Sequence, residues 1–238
     1  MIYTINSSDR NLTLSTSTSN FIIEMPIIDI DYKKMKVLNY KIPLSIYNVS
    51  STYSTNIFIV EETGTPRTIT LTAGLYTTTT LPTQIQTQLN SGGGSGYTVL
   101  FDNITQKLTF SNSTAFKILL SGYNKMAEFL GFPASDTTSA TSHVSTYCVS
   151  MTPIRNLFLC VNELKTNIKC SSQFQKATPC AILPYNCNIN NFTFNDTEIE
   201  YNIQSMSKRT NWEIKLIDDT GEIAELNNIN WSITLCLY

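Results

Sequence analysis

Charge is scarce in this chain of 238 residues: Asp, Glu, Lys and Arg make up 14% of it, against about 25% in an average soluble domain. The net charge is −2, which leaves no clustered cationic footprint for counterion release at a nucleic acid, so no nucleic-acid partner is expected. The densest basic group, Lys33, Lys34, Lys36 and Lys41, alternates with Met35, Val37, Leu38 and Ile42. That is the pattern of a strand's wet face. No apolar run approaches the roughly 18 residues of a membrane-spanning helix. The opening MIYTINSSDR has neither a basic n-region nor an apolar h-region, so a secretory signal is not expected.

Histidine is nearly missing too. His143 is the one copy, set in the Ser/Thr stretch SATSHVS, where it reads as a solvated loop residue. One histidine cannot supply a His-pair metal site or H-E-x-x-H, and no G-x-S-x-G is present for a nucleophile elbow. The cysteines Cys148, Cys160, Cys170, Cys180, Cys187 and Cys236 form no C-x-x-C pair, which removes zinc-ribbon spacing. Cys160 in LFLCV and Cys236 in ITLCLY lie in apolar runs, where cysteine acts as a small hydrophobe. Without a secretory signal, reduced structural thiols are the expectation. The eight Asn-x-Ser/Thr sites at Asn6, Asn11, Asn48, Asn103, Asn112, Asn191, Asn195 and Asn230 then follow from an Asn/Ser/Thr-rich composition.

What the chain does have is alternation. IYTIN (2–6), NFIIEM (20–25), YKKMKVLNYKIPL (32–44), NIFIVEE (56–62) and RTITLT (67–72) read as strands. So do the hairpin YTVLFDNITQKLTFS (97–111), AFKILL (115–120), RNLFLCVNEL (155–164), NNFTFND (190–196), EIEYNIQSM (198–206), NWEIKLID (211–218) and INWSITLCLY (229–238). Residues 133–146 read as a loop. Two helices interrupt the pattern. Leu81, Ile85 and Leu89 recur at helical spacing, with Pro82 suited to a first turn, which predicts a helix over 82–90. In YNKMAEFLGF (123–132), Met126, Phe129 and Leu130 share one helical face, Asn124 suits the start, and Gly131 suits a left-handed end. This second helix is expected to plug one end of a β-sandwich with Phe129, Leu130 and Phe132. Ten to twelve short strands with no dividing linker predict one all-β domain over 1–238, an antiparallel jelly-roll sandwich with two short helices in its connections. Residues 1–19 are a candidate N-terminal arm and 165–188 a candidate surface-loop insertion.

Few residues suggest chemistry. SGGGSG (91–96) lacks the Gly-Lys-Ser/Thr of a phosphate loop and reads as a flexible connector. DDTGE (218–222) lacks alternating acidic ligands and reads as a turn at Gly221. Glu198 and Glu200 fall on one face of a strand, a solvent-facing arrangement for two carboxylates. No catalytic residue, cofactor or metal ligand is assigned.

Several segments together resemble one family. MIYTINSSDRN, YKKMKVLNYKIPLSIYNV (32–49), ITLTAGLYTTTTLPTQIQTQLN (69–90), YTVLFDNITQKLTF (97–110) and AEFLGF (127–132) occur in the order seen in penton and minor capsid proteins of virophages, polinton-like viruses and related large DNA viruses. RNLFLCVNEL (155–164) and IKLIDDTGEIAELNNINWSITLCLY (214–238) are similar to that family's closing pattern. The resemblance implies a jelly-roll capsid protein of the virion, a penton whose homopentamers close icosahedral vertices beside trimers of a double-jelly-roll major capsid protein. Its recurrent positions fall on Pro43, Tyr47, Gly74, Tyr76, Leu130, Gly131, Phe132, Gly221 and Trp231, all as scaffold. It supplies no catalytic residues. Two other readings fit the same sequence. One is a minor or cement protein between major capsid trimers. The other is a carbohydrate- or receptor-binding sandwich, with Tyr185 or Tyr123 as exposed loop aromatics for a host receptor or glycan.

Overall fold

The computed structural model describes residues 1–15, 17–26, 31–152, 154–166, 168, 178–185, 200–206 and 209–238. The strand expected over 190–196, most of the expected loop insertion, Glu198, Cys170 and Cys187 lie outside these residues. Fourteen strands and two α-helices follow in chain order among those described: β1 (Ile2–Asn6), β2 (Asn20–Glu24), β3 (Lys34–Lys41), β4 (Ile57–Glu62), β5 (Thr65–Thr70), α1 (Thr80–Leu89), β6 (Thr98–Asp102), β7 (Lys107–Leu119), α2 (Asn124–Leu130), β8 (Ala140–Val144), β9 (Asn156–Val161), β10 (Leu164–Thr166), β11 (Ala181–Pro184), β12 (Glu200–Met206), β13 (Asn211–Ile217) and β14 (Ser232–Leu237). The chain folds as two compact units, Met1–Ile46 with Ile154–Tyr238, and Tyr47–Pro153.

The first unit is the jelly roll. One sheet runs β1-β14-β3-β12 and the other β2-β13-β9-β11, with every pairing antiparallel. In both sheets neighbours in space are far apart in sequence, the signature of a sandwich wound from Greek keys. The three-residue β10 pairs with β9 and with β12, and so joins the sheets along one edge. Alternation decides which side faces in. On β14, Ile233, Leu235 and Leu237 are buried while Ser232, Thr234 and Cys236 are half-exposed. Aromatic pairs tie the two sheets together. Tyr3 on β1 stands 5.9 Å from Trp212 on β13, and Phe21 on β2 meets Trp231 edge-on at 5.9 Å. Such pairs contribute about 0.5–1.5 kcal/mol each beyond their buried area. Residues 1–19 begin with a full strand of this sheet, in register with β14 from Ile2↔Cys236 to Asn6↔Ser232.

The second unit is inserted between β3 and β9. Its antiparallel sheet runs β5-β4-β7-β6, with β8 against β7. The long β7 absorbs two segments that the sequence suggests as separate strands. It pairs with β6 through its first half and with β4 through its second, while β8 pairs with it from Thr109 to Phe116 across a register shift. Both helices contribute to this unit's own core. Leu81, Ile85 and Leu89 of α1 and Met126, Ala127, Phe129 and Leu130 of α2 pack with Phe58, Phe110 and Phe116 of the sheet. The second helix, expected as a sandwich plug, is therefore a core element of the inserted unit. Residues 47–153, expected as part of one domain over 1–238, form a compact unit with its own core.

Candidate functional site

Three of the nine scaffold positions lie in the jelly roll and six in the inserted unit. In the jelly roll, Pro43 is buried just after β3, and its carbonyl accepts a hydrogen bond from the Tyr185 hydroxyl at 3.1 Å. Reciprocally, the Tyr40 hydroxyl donates to the Pro184 carbonyl at 2.7 Å. Next to them the Ser45 hydroxyl donates to the Leu226 carbonyl at 2.8 Å, and the Asn227 amide donates to the Ser45 carbonyl. These bonds fix the backbone where the chain leaves the jelly roll. They also correct one expectation. Tyr185, suggested as an exposed glycan-binding aromatic, is 5% exposed, and its hydroxyl serves the fold. Tyr123 is half-buried against the core of the inserted unit.

Trp231 and Gly221 complete the jelly-roll set. The Trp231 indole N–H donates to the Thr18 carbonyl at 2.6 Å, and its backbone N–H to the Ser7 hydroxyl at 2.8 Å, while the Ser7 N–H returns to the Trp231 carbonyl. A buried indole N–H needs such an acceptor. Gly221 sits in the turn after β13. There Asp218 Oδ1 accepts from the Thr220 N–H at 2.8 Å, the Thr220 hydroxyl at 2.5 Å and the Glu222 N–H at 3.3 Å. An acidic side chain that folds back on its own turn is built for geometry. Its neighbour Asp219 accepts the Arg155 and Asn156 N–H groups at 2.6 and 3.1 Å and holds the start of β9.

The remaining six positions lie in the inserted unit. Val49 and Gly74 exchange backbone hydrogen bonds, 3.1 Å and 3.0 Å. Beside them the buried Asn48 side chain imitates a strand partner: its amide donates to the Tyr76 carbonyl and accepts from the Tyr76 N–H, both at 2.8 Å. Tyr47 just before it is exposed. Leu130, Gly131 and Phe132 end α2 as a Schellman motif. The Phe132 N–H reaches the Ala127 carbonyl and the Gly131 N–H reaches Glu128, with Gly131 at φ 78°. Phe132 then meets Phe110 edge-on at 5.8 Å.

Sequence reasoning missed Asn48, which stood there only as one Asn-x-Ser/Thr site of an Asn/Ser/Thr-rich composition, and missed Arg67. The Arg67 guanidinium donates to the Leu89 carbonyl at 2.8 Å and the Ser91 carbonyl at 3.0 Å, so a cation closes the C-terminus of α1. Glu62 lies 3.5 Å from it and accepts the Tyr97 hydroxyl at 2.6 Å. Burial pushes the Tyr97 phenol up from its ordinary value, and its bond to Glu62 adds to this. The Gly-rich connector is pinned at this point, because Gly94 packs against Leu89 and Arg67. His143 corrects another expectation. It belongs to β8, is 8% exposed, stands edge-on to the Phe116 ring at 4.6 Å, and has Nε2 2.9 Å from the Phe116 carbonyl.

The ionisable groups are used in the same structural way. A shallow concavity of about 540 Å³ in the jelly roll is lined in part by Glu163, Arg209 and Glu213. The buried Glu163 carboxylate accepts the Glu213 N–H at 3.1 Å, and burial raises its pKa. Glu213 is held by the Asn162 amide and by Lys215 at 2.6 Å. Glu200 is exposed and pairs with Lys34 at 2.9 Å. Among the described residues no three of His, Cys, Asp and Glu gather closely enough to hold a metal ion. No described helix is long and apolar enough to cross a membrane. Cys148, Cys160, Cys180 and Cys236 are thiols, and burial pushes the Cys180 thiol up. The described side chains hold backbone, edges and turns in place; none of these clusters pairs a base with a nucleophile.

No protein-family model matches the chain, and no curated protein matches it in sequence. Solved structures do match. The mavirus penton protein aligns over 100% of this chain and 98% of its own, with a TM-score of 0.53 at 10% identity. A chain of the Sputnik virophage aligns over 99% of this chain and 96% of its own, with a TM-score of 0.48 at 11% identity. At this level of identity the alignment shows the fold alone: this chain shares the jelly-roll architecture of the mavirus penton protein over its full length.

Proposed function

We propose that this chain is a structural protein of a virus particle, a penton whose homopentamers close the icosahedral vertices. The observation that carries the reading is the end-to-end fold match to a penton protein, which takes in the jelly roll and the inserted unit together. The side-chain chemistry supports it. The scaffold positions Pro43, Gly74, Tyr76, Leu130, Gly131, Phe132, Gly221 and Trp231 serve turns, a helix end and sheet contacts. Low charge suits a block that packs beside copies of itself, since like charges across an interface repel. Its partners on this reading are other copies of the chain and the major capsid protein around each vertex, and its place is the virion.

The test is the mass of the purified protein at micromolar concentration, together with its position in a particle map. A ring of five, present at about 60 copies per particle because each of twelve vertices holds one closed ring, is the expected result. A strictly monomeric chain that is absent from the vertices overturns the reading. A different copy number, with density between major capsid trimers, identifies a cement protein instead.

A further inference from the structure

One concavity of the jelly roll holds two charged groups that the fold leaves partly unused. Its floor is a row across three strands. Glu213 of β13 pairs with Ile22 of β2, and the Asn162 N–H, just after β9, extends the row by donating to the Glu213 carbonyl at 3.1 Å. Residues paired across antiparallel strands project to the same side. Trp212 and Ile214 are buried on the other side, so this row faces solvent. Glu163, Arg209, Thr210 and Asn211 complete a space of about 540 Å³ over it. A second space of about 270 Å³, beside Lys165, Ser205 and Met206, shares Asn162, Glu163 and Arg209 with the first.

The charges here are not all satisfied by one another. Glu213 is: its carboxylate takes the Asn162 amide and lies 2.6 Å from Lys215. Glu163 differs. The residue is 4% exposed, its Oε2 accepts the Glu213 N–H at 3.1 Å, and no described side chain donates to it. Arg209 is exposed, and its guanidinium makes no hydrogen bond or ion pair with a described residue. Its charge still acts on Glu163, so the two groups line one space without touching. An ionised carboxylate has about four acceptor sites and a guanidinium about five donors, so most of the capacity of both is open.

We propose that this concavity binds an uncharged saccharide. Charge selects the class of ligand. Glu163 and Arg209 offset each other, as do Glu213 and Lys215, and Lys165 stands exposed at the edge of the smaller space, where water and salt screen it. A vicinal pair of sugar hydroxyls both donates and accepts, so it gives protons to Glu163 and takes those of Arg209 at once. The Asn162 and Asn211 amides and the Thr210 hydroxyl have the same dual chemistry. Half-exposed Ile22 and Met206 supply apolar surface for the C–H face of a sugar ring. The larger space falls within the roughly 300–1,000 Å³ of small-molecule sites. Strands and their hydrogen bonds form its walls, so little ordering is needed on binding. This activity goes beyond the capsid reading and does not need the ring.

The test adds lactose, maltose and mannobiose, each at millimolar concentration, to the full chain and reads saturation transfer to the sugar protons. An array of printed neutral and sialylated glycans runs beside it, with thermal melting of every variant. The expected result is binding of a neutral sugar that weakens about tenfold or more in Arg209→Met and in Glu163→Gln, the usual worth of hydrogen bonds to charged groups. Neutral glycans held on the array identify a glycan chain as the source. Transfer to the free sugars with nothing held on the array identifies a free sugar. Binding that is as strong in both variants as in the wild type overturns the inference, and so does a chain that takes none of the three sugars and no neutral glycan. Retention of sialylated glycans alone overturns it too, because the ligand would then be an anion. If Arg209→Met melts low, Glu163→Gln decides: undiminished binding overturns the inference.

Discussion

Gly131 and Tyr147 meet backbone to backbone. The Tyr147 N–H donates to the Gly131 carbonyl at 2.8 Å, and a Cβ built on Gly131 would stand 2.4 Å from the Tyr147 carbonyl oxygen. The glycine is needed twice, for a left-handed helix end and for close approach of a second segment. Gly131→Ala therefore pays a conformational cost of about 1–2 kcal/mol and adds a clash with rigid backbone. Gly64 is the control, because its φ is +81° yet nothing lies within 4 Å of its added Cβ. Urea unfolding should show Gly131→Ala losing clearly more stability than Gly64→Ala. Equal losses would mean that the 145–149 segment yields freely.

Arg67 and Gly94 form the second such relationship. A Cβ on Gly94 would lie 1.9 Å from the Leu89 carbonyl oxygen and 2.2 Å from Arg67 Nη2, so Gly94→Ala clashes both with the backbone at the end of α1 and with the guanidinium that caps it. Arg67→Ala removes hydrogen bonds from a charged donor, worth about 1.5–3 kcal/mol. Each single change should lower the melting temperature and speed protease cleavage within 91–96. The double variant should cost less than the sum, since the clash and the lost cap share one site. Additive losses would show that the two residues act independently.

His143→Ala tests the corrected place of the histidine. The change removes a buried ring from an edge-on contact with Phe116 and leaves the Phe116 carbonyl without its 2.9 Å partner. An orphaned buried group costs about 1–3 kcal/mol. A solvated loop histidine would cost almost nothing. Thermal melting separates the two outcomes, and His143→Gln, which keeps a donor within reach, should recover part of the loss.

How far the sequence revealed this molecule follows from where its signals lie. Strand alternation marked most strands, and apolar spacing with a following glycine marked α2, because both are local patterns of side-chain burial. The strand β8 escaped notice because ATSHV has little apolar character, and of its five residues only His143 is buried. β9 and β10 merged into one expected strand because only two polar residues, Asn162 and Glu163, separate the apolar run LFLCV from Leu164. The boundaries of the inserted unit, after Ile46 and before Ile154, carry no Gly/Ser-rich linker, so nothing in the composition separates it. Arg67, Asn48 and Tyr185 do their work on backbone carbonyls distant in sequence. A carbonyl acceptor has no residue type, so those partners become visible only in three dimensions.

Glu163 gives a prediction in pH. Its carboxylate lies buried beside the β9–β10 turn, and desolvation raises its folded-state pKa even though the Glu213 N–H and the nearby Arg209 charge pull the other way. A carboxyl with a raised folded pKa binds its proton more tightly in the folded chain than in the unfolded one. Its contribution to stability is therefore greatest below the unfolded carboxylate value and is lost as pH rises through the folded value. At neutral pH the ionised group sits at a disadvantage. Glu163→Gln removes the charge and keeps an oxygen to accept the Glu213 N–H. The variant should melt higher than wild type at pH 7, and the gap should close as pH falls towards 4, where the wild-type carboxyl takes up its proton. Arg209→Met serves as the companion. Without the cation the wild-type carboxylate loses a favourable neighbour, so the pH dependence should steepen and move to higher pH. A Glu163→Gln variant that melts lower than wild type at pH 7 would mean that the ionised carboxylate is held by its donors more strongly than burial opposes it.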